Sequence, residues 1–513
     1  MTSSVEGLPA VGGLRVARAG LNRPVAAIDV GSNSVRIAIV IADGAGLLEV
    51  IEEASATPKL IRDVQRDGRL SDASINEVVE ILRDFQAVAR GADADPVVAV
   101  ATSAVRDAAN GADLAKRIEA ALGIRMRIVD GGDEARLAFL GAIHSLPVEH
   151  GLVIDIGGGS MEIMQFAGRA AGRSWTLPLG AVRLTAQFLQ SDPPSQPELR
   201  ALRDHLAAQI AGAGIEPLAP GGALVGTGGT IRNIAKMDRS RHRYPMSRLH
   251  GYAISQDGVR GVADLVRTRT QAERYNLSGL NEDRADSIVA GALVLQAIVE
   301  ATRAHSLMVS GQGLREGIAL EERGGSLPSV HALREASIER AVLRFAPTYV
   351  QDARARTQTV EALASAANFT ATPEVVGALS AAATLLDLGR SVDYYNRYRH
   401  TEALTLAYGL PGWTHREVAL ICAIVRQADS EKYDPTNDYR PLITADDRSS
   451  IAAAGTLLAV ADEVERRVPP RARAVAWRQD ESVVRGVLRI DGALLGTLSG
   501  RFERTLGLGL ASA

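Results

Sequence analysis

A duplicated α/β fold followed by a mostly helical region is what this sequence predicts, and three observations carry the expectation. One pattern occurs twice at a fixed offset, strand-like runs alternate with helical ones over the first 320 residues, and composition changes near 322–330. Residues 25–41 read VAAIDVGSNSVRIAIVI and residues 151–166 read GLVIDIGGGSMEIMQF. Each runs apolar strand, Asp, apolar, Gly, small or polar residues, Ser, then a second apolar strand. Asp29 and Asp155 lie 126 positions apart, and the same offset joins VVAVATSAVRD at 97–107 to ALVGTGGTIRN at 223–233, with Arg106 opposite Arg232. Two segments sharing one offset mark a repeated structural unit.

Each half opens with a hairpin around its glycine turn. Helical periodicity follows at 71–90, with Ser71 as its N-cap, and at 112–122 in the first half, then at 196–213 in the second. A helix over 283–304 leads to LMVSGQGLREGIAL at 307–320, a strand with a glycine-rich turn. Strands alternating with helices imply a largely parallel sheet under helical cover. ERGGSLPSV at 322–330 reads as a linker. Beyond it, 331–467 reads as almost all helix, with clear spacing at 377–390 and 415–428, and 484–506 reads as a short β tail.

The chain has 513 residues, enough for roughly 2 to 4 domains. Aromatics are 4%, so the cores must rest on Ala, Val, Ile and Leu. The net charge of −3 gives no bulk basic field for nucleic acid, so an anionic substrate must meet local positive groups. The single cysteine, Cys422, excludes an intrachain disulfide and a cysteine-based metal site, and fits a reducing compartment. The most apolar runs, such as 34–41 and 151–156, are too short to span a bilayer. Residues 1–23 lack an apolar signal-peptide core and read as a loose leader. The cytoplasm is the expected location, without stable membrane association.

DIGGGSME at 155–162 is the richest motif. Its glycines allow backbone N–H groups to converge on phosphate oxygens. Asp155 and Glu162 stand at the two ends of the turn, where paired strands aim both carboxylates at one pocket. That suits Mg²⁺, which takes one or two carboxylates, waters and substrate phosphate. The plainer reading is a glycine hairpin with solvated acids, but the repeat favours function, since a phosphate chain between two halves needs two loops. DVGSNSVR at 29–36 is the partner loop, in which Ser32, Asn33 and Ser34 supply donors. Asp29 joins Asp155 and Glu162 as a candidate metal residue. Arg36 stands where the other copy has Glu162, and reads as a surface side chain. ATSAVRD at 101–107 offers Arg106, able to grip a phosphate through two parallel N–H bonds. GTGGT at 226–230 is a further glycine turn, with Gly228, Gly229 and Thr230 as candidate phosphate contacts. Glu134 opens a helix after the strand IRMRIV; by spacing alone it is first an acid favoured by the helix dipole.

Together AAIDVGSNSVRI, VATSAVRDAAN, IVDGGDEARLAFLG, LVIDIGGGSMEI, LPLGAVRLT, LVGTGGTIRNIA and VSGQGLREGI resemble the exopolyphosphatase / guanosine pentaphosphate phosphohydrolase family of the actin-like ATPase superfamily. The stretches appear in the family's order over about 24–320. The remainder resembles the HD-type C-terminal region of the longer members. The resemblance implies two actin-like (ribonuclease H-like) domains, at 24–139 and 140–323, and an HD-like helical region at 324–513. It implies a cleft with phosphates lying across both loops. It makes Glu134 the base that orients or deprotonates water, Asp155 and Glu162 Mg²⁺-site residues, and Gly157, Gly158, Gly159 and Ser160 the phosphate loop. Ser32, Asn33, Ser34 and Arg106 would hold phosphate from the other side. An active HD hydrolase needs a His-Asp pair, whereas here Leu386 precedes Asp387. His400, Asp387 and Asp462 are then remnants, and the region extends the binding surface or a homodimer interface.

The expected reaction is removal of terminal orthophosphate from inorganic polyphosphate, with guanosine pentaphosphate (pppGpp) as the second choice of substrate. Arg397 and Arg399 beside His400, and the run at 466–478, are candidates to track a long chain. A catalytically dead sensor of polyphosphate or alarmone is the alternative of another class. Sugar kinases and chaperone ATPases share the fold, but a kinase needs a nucleotide-base pocket and an acceptor base that the sequence does not display.

Overall fold

The computed structural model describes residues 23–43, 47–345, 353–467, 477–480, 482–486 and 492–512. Residues 1–22 of the expected leader and 468–476 of the arginine-rich run at 466–478 lie outside the described residues. The first sheet contains β1 (Val25–Val30), β2 (Val35–Ala42), β3 (Leu48–Ala56), β4 (Val97–Ala101) and β5 (Met126–Ile128), in the order β3-β2-β1-β4-β5. The second contains β6 (His150–Ile156), β7 (Met161–Ala167), β8 (Ala170–Leu177), β9 (Ala223–Thr227), β10 (Ala253–Ser255) and β11 (Ser306–Val309), in the order β10-β11-β9-β6-β7-β8.

The repeat seen in the sequence is a repeat of topology. In both sheets a hairpin is followed by an antiparallel third strand, and its first strand pairs in parallel with a later one, β1 with β4 and β6 with β9. Register is conserved between the copies: Asp29 pairs with Arg36, and Asp155 with Glu162. Cross-strand partners project to the same face, so each hairpin delivers both side chains to one side of its turn. The inner strands are buried and rich in Val, Ile and Ala, as strands covered on both faces must be.

The helices follow the predicted periodicity closely. Asp72–Gly91 is capped by Ser71, whose side chain accepts from the Ser74 N–H. Gly111–Leu122 and Gln196–Ala213 occupy the predicted places. The helix expected from 283 begins at Ile288, because a 3-10 turn at Glu282–Arg284 comes first. Leu314–Glu321 ends the second half, and the next helix is Val330–Phe345, so 322–330 does connect two elements.

Beyond that connection the chain is helical, with Pro373–Leu385, His415–Asp429 and Arg448–Arg467 packed around their own apolar core. The expected β tail is corrected. β12 (Trp477–Asp480), β13 (Val483–Gly486) and β14 (Gly509–Ser512) form a small sheet, but Gly492–Leu506 is a helix. Short apolar runs such as this fit either period.

Two of the expected HD remnants, Asp387 and Asp462, sit among arginines. Arg356, fully buried, contacts Asp387 at 2.6 Å and Glu465 at 2.6 Å, and Arg390 reaches Asp387 at 2.8 Å. Arg397 is buried in an ion pair with Asp462, so it is not a free surface cation for a passing chain. Guanidinium groups supply the positive charge beside these carboxylates.

Candidate active site

The two glycine loops meet face to face. A Cβ placed on Gly158 would lie 3.4 Å from the Ser32 Cβ, and one on Gly159 would lie 2.8 Å from Ser103 Oγ. Ser32 and Ser103 hydroxyls are themselves 2.5 Å apart. Both serines line a cavity of about 110 Å³. Around it stand Asp29, Ser32, Asn33, Ser34, Gly157, Gly158 and Ser160 with Glu134, Asp155, Glu162, Gly228 and Gly229. Most of the residues singled out in the sequence are therefore brought to one place.

Three are placed otherwise. Thr230 is buried with its methyl group against Gly291. Gly159 lies in the seam between the loops rather than in the cavity wall. Arg106 sits behind Glu134: its guanidinium donates to Glu134 Oε2 at 2.8 Å and to the Val129 carbonyl at 2.9 Å.

The helix Gly228–Ser240 starts at the cavity, with its first N–H groups and positive dipole end there. Gly228 has φ +88°, and a Cβ there would lie 2.1 Å from Asp155 Oδ1, so this approach of turn to carboxylate requires glycine. Glu134 is placed by the helix Gly131–Ile143, whose N-cap Asp130 accepts from the Asp133 N–H at 2.8 Å.

Sequence reasoning missed most of the positive charge. Arg36, Arg232, Arg284 and Arg315 line the cavity, so the surface reading of Arg36 is corrected. In isolation a strand-end arginine looks solvated; the second lobe is what covers it. Arg232 did carry a signal, since it shares the repeat offset with Arg106. Arg315 and Glu316 lie within the quoted GLREGI segment, which reads as a turn until the helix is seen.

Burial pushes the Glu134 carboxyl up to about 7, with Asp155 and Asp29 adding to the rise and the Arg106 contact opposing it. Burial also raises Asp29 to about 6 against the pull of Arg36 and Arg315, and raises Asp155 and Glu162. Burial lowers Arg232 to about 10. Such shifts gather where titratable groups share a partly desolvated cleft.

Asp29 Oδ1, Glu162 Oε1, Asn33 Nδ2 and Arg36 Nε are buried without a hydrogen-bond partner. Orphaned acceptors beside orphaned donors fit a ligand that brings both a cation and anionic oxygens. Among the described residues no group of three or more His, Cys, Asp or Glu stands ready to hold a metal ion. Mg²⁺ needs no such cage, since it keeps waters and shares substrate phosphates. Among the described residues no helix is long and apolar enough to cross a membrane.

The model of the Ppx/GppA phosphatase family matches residues 39–324. Exopolyphosphatase 1 of Mycobacterium tuberculosis is 30% identical over 319 residues, 61% of this chain and 92% of that protein. The guanosine-5'-triphosphate,3'-diphosphate pyrophosphatase of Photobacterium profundum is 26% identical over 417 residues, covering 78% of this chain and 80% of that protein. Among solved structures, the Ppx/GppA family member of Aquifex aeolicus is similar at 29% identity with a TM-score of 0.53, covering 59% of this chain and 98% of that one.

Proposed function

The chain belongs to the Ppx/GppA phosphatase family and is a phosphoanhydride hydrolase, and from that footing we propose that it releases orthophosphate from the end of inorganic polyphosphate. The observation that carries the proposal is the pairing of two glycine loops across a cleft with four inward arginines and four raised carboxyls, Glu134 among them. Phosphoryl transfer asks mostly for positioning and charge stabilisation. Backbone N–H groups of the 157–160 loop and of the Gly228 helix start would hold the terminal phosphoryl oxygens, with Ser32, Asn33 and Ser34 opposite. Arg36, Arg232, Arg284 and Arg315 would offset the charge of the chain behind it. Glu134, oriented by Arg106, would take the proton of the attacking water.

A divalent cation, Mg²⁺ in our reading, would be held by one or two of the carboxylates Asp155, Glu162 and Asp29 with waters and substrate phosphate, and would draw charge from the phosphoryl group. The same reading keeps 24–139 and 140–323 as the actin-like domains and 324–513 as an HD-like region, in a cytoplasmic homodimer.

The cavity wall favours polyphosphate over pppGpp. Its lining residues are glycines, hydroxyls, an amide, arginines and carboxylates, with Ile156 and Leu314 as the apolar members. These suit a bare phosphate chain better than a guanine ring, which stacks on aromatics. The pyrophosphatase relative keeps pppGpp as the second substrate to test. A pure sensor would have no use for Glu134 set against three further carboxylates.

The test is orthophosphate release from polyphosphate and from pppGpp across a Mg²⁺ titration. Glu134→Gln should lose on the order of 10²–10⁴ in turnover with binding kept. Asp155→Asn and Glu162→Gln should need more Mg²⁺ for half activation. Full activity of Glu134→Gln would remove the base, and full wild-type activity in chelator would remove the metal.

A further inference from the structure

A second cavity, of about 570 Å³, lies between the catalytic half and the helical region. Its wall is unlike that of the catalytic cleft. Leu48, Val50, Leu404, Phe345, Tyr408 and Trp413 make much of it apolar and aromatic. Three guanidinium groups also belong to it, those of Arg248, Arg340 and Arg344. Arg340 and Arg344 are offset by Glu49, which each contacts at 2.9 Å, and Arg340 also lies 3.4 Å from Asp43. Arg248 differs: it donates to the Tyr408 carbonyl at 2.7 Å, and no carboxylate stands within ion-pair distance of it among the described residues.

Among the described residues the wall thus offers one cation without a carboxylate partner and a broad apolar face. A long polyanion would need many cations, and this cavity has one to spare. A compact ligand with a single anionic group and a ring matches it, and the volume falls in the range usual for small-molecule sites, roughly 300–1,000 Å³.

We propose that this cavity is a second ligand site, for a ring-bearing phosphate monoester of the nucleoside monophosphate class, with its phosphate at Arg248 and its ring against the apolar wall. The site adjoins the catalytic loop. Ser145 Oγ donates to Gln312 Oε1 at 2.7 Å and lies 3.0 Å from His250 Nε2, while the Gly311 N–H donates to His250 Nδ1 at 3.2 Å. That bond makes Nδ1 an acceptor, so Nε2 carries the proton and faces Ser145. His415 Nε2 bonds the His250 carbonyl at 2.9 Å, and Tyr244 bonds His415 Nδ1 at 2.8 Å. Burial keeps His250 and His415 neutral, so the chain of bonds stays intact at neutral pH. Thr227 Oγ1 in turn donates to the Gln312 carbonyl at 2.6 Å. Thr227, Leu314, Arg315 and Glu316 line the catalytic cleft. A ligand among Gln312, His250 and Arg248 therefore touches the back of the loop whose front holds substrate. Ligand binding at this site does not depend on the proposed substrate; its effect on rate does.

The experiment uses the full chain with AMP and GMP, which have no phosphoanhydride to hydrolyse. Calorimetry should give one site with Kd below about 1 mM, weakened roughly tenfold or more by Arg248→Gln and also by Trp413→Ala, which removes part of the apolar wall, and unchanged by Glu134→Gln. A saturating probe should change orthophosphate release from polyphosphate about twofold or more in the wild type and not in Arg248→Gln. Absence of binding at about 10 mM probe, equal affinity in wild type and both variants, or displacement by inorganic phosphate from the catalytic cleft would each overturn the site. Thermal midpoints of both variants identify a folding defect, and the two unrelated substitutions must agree for the site to stand. Binding without any change in rate would overturn the coupling alone.

Discussion

Glu134 owes its chemistry to its surroundings more than to its type. Burial raises its pKa to about 7, and Arg106, 2.8 Å away, holds back a larger rise. The base proposed here must be ionised, so kcat/KM at fixed Mg²⁺ should climb as pH rises through about 7 and level off above. Arg106→Gln removes the opposing charge. The acid limb should then move to higher pH, by about 1–3 units if the pair behaves as a close ion pair. A pH–rate profile of both proteins checks this, and an unmoved limb would show that Arg106 does not set the base. Legibility at this scale was uneven. The carboxylates at 155 and 162 and the glycine turns could be read from their pattern, because backbone geometry dictates those types. Glu134 could be read only through a family resemblance, since an acid in a first turn is common for helical reasons alone. Arg284 was not legible at all: it is a surface-type residue until the Gly228 helix packs on it, with a Gly229 Cβ position 2.7 Å from its guanidinium.

Two helices fix the relation of the catalytic parts, and they touch through glycine. Gly131–Ile143 carries Glu134, and Leu314–Glu321 carries Glu316. A Cβ on Gly317 would lie 1.8 Å from the Leu137 carbonyl oxygen, and one on Gly141 would lie 1.8 Å from that of Gly313. Backbone cannot yield as a flexible side chain can. Gly317→Ala should therefore push the helices apart, costing about 1–3 kcal/mol as overpacking does, and should lower turnover by displacing Glu134 and Glu316 together. Gly91→Ala, where a Cβ meets nothing within 4 Å, is the control and should be close to neutral. Denaturant midpoints and turnover of both variants test this; a stable, fully active Gly317→Ala would show that the crossing tolerates a wider gap. The sequence hid this crossing because GQGLREGI reads as one glycine-rich turn. Its first glycines do make the turn, but Gly317 lies inside a helix, where its function is contact rather than bending. Helix 492–506 was hidden for a related reason: VLRIDGALL has apolar runs too short to choose between periods of 2 and 3.6.

At the scale of the whole molecule, the duplication was legible because one offset governs strands as well as loops, and β4 and β9 begin 126 positions apart, like their aspartates. The use of the helical region was not legible. Arg397, which looked free to follow a chain, neutralises Asp462, and Arg356 neutralises Asp387 and Glu465 inside a separate core. Among the residues proposed for chain tracking, Arg399, Arg466 and Arg467 are exposed, the last two beside Glu463.

The helical region meets the catalytic half through polar contacts and through Met246, which is buried in the helical region's apolar core. Arg340 and Arg344 bond Glu49, the Gly412 N–H donates to the Ser145 carbonyl at 2.8 Å, and His415 bonds the His250 carbonyl. Cutting the polar contacts leaves groups that water can satisfy, and the apolar surface uncovered includes Met246. The mycobacterial relative also supports independence of the catalytic half, since 319 aligned residues make up 92% of it. A fragment ending at Gly325 should therefore fold and retain orthophosphate release from short polyphosphates, with both loops and Glu134 in place. What it should lose depends on what the helical region does. If exposed arginines such as Arg399 attract long chains, the intact protein should favour long polyphosphate at low salt, and this preference should fade as ions screen charge over about 8–10 Å near physiological ionic strength. The fragment should then show a flat profile at every salt concentration. Chain-length profiles by gel, for both proteins at low and high salt, decide the matter. Identical profiles would show that the helical region does not follow the chain, leaving the junction with the catalytic loop as its route to influence turnover. An inactive but folded fragment would go further, showing that the contact from His415 through His250 to Gly311 is needed to hold the substrate loop in its working shape.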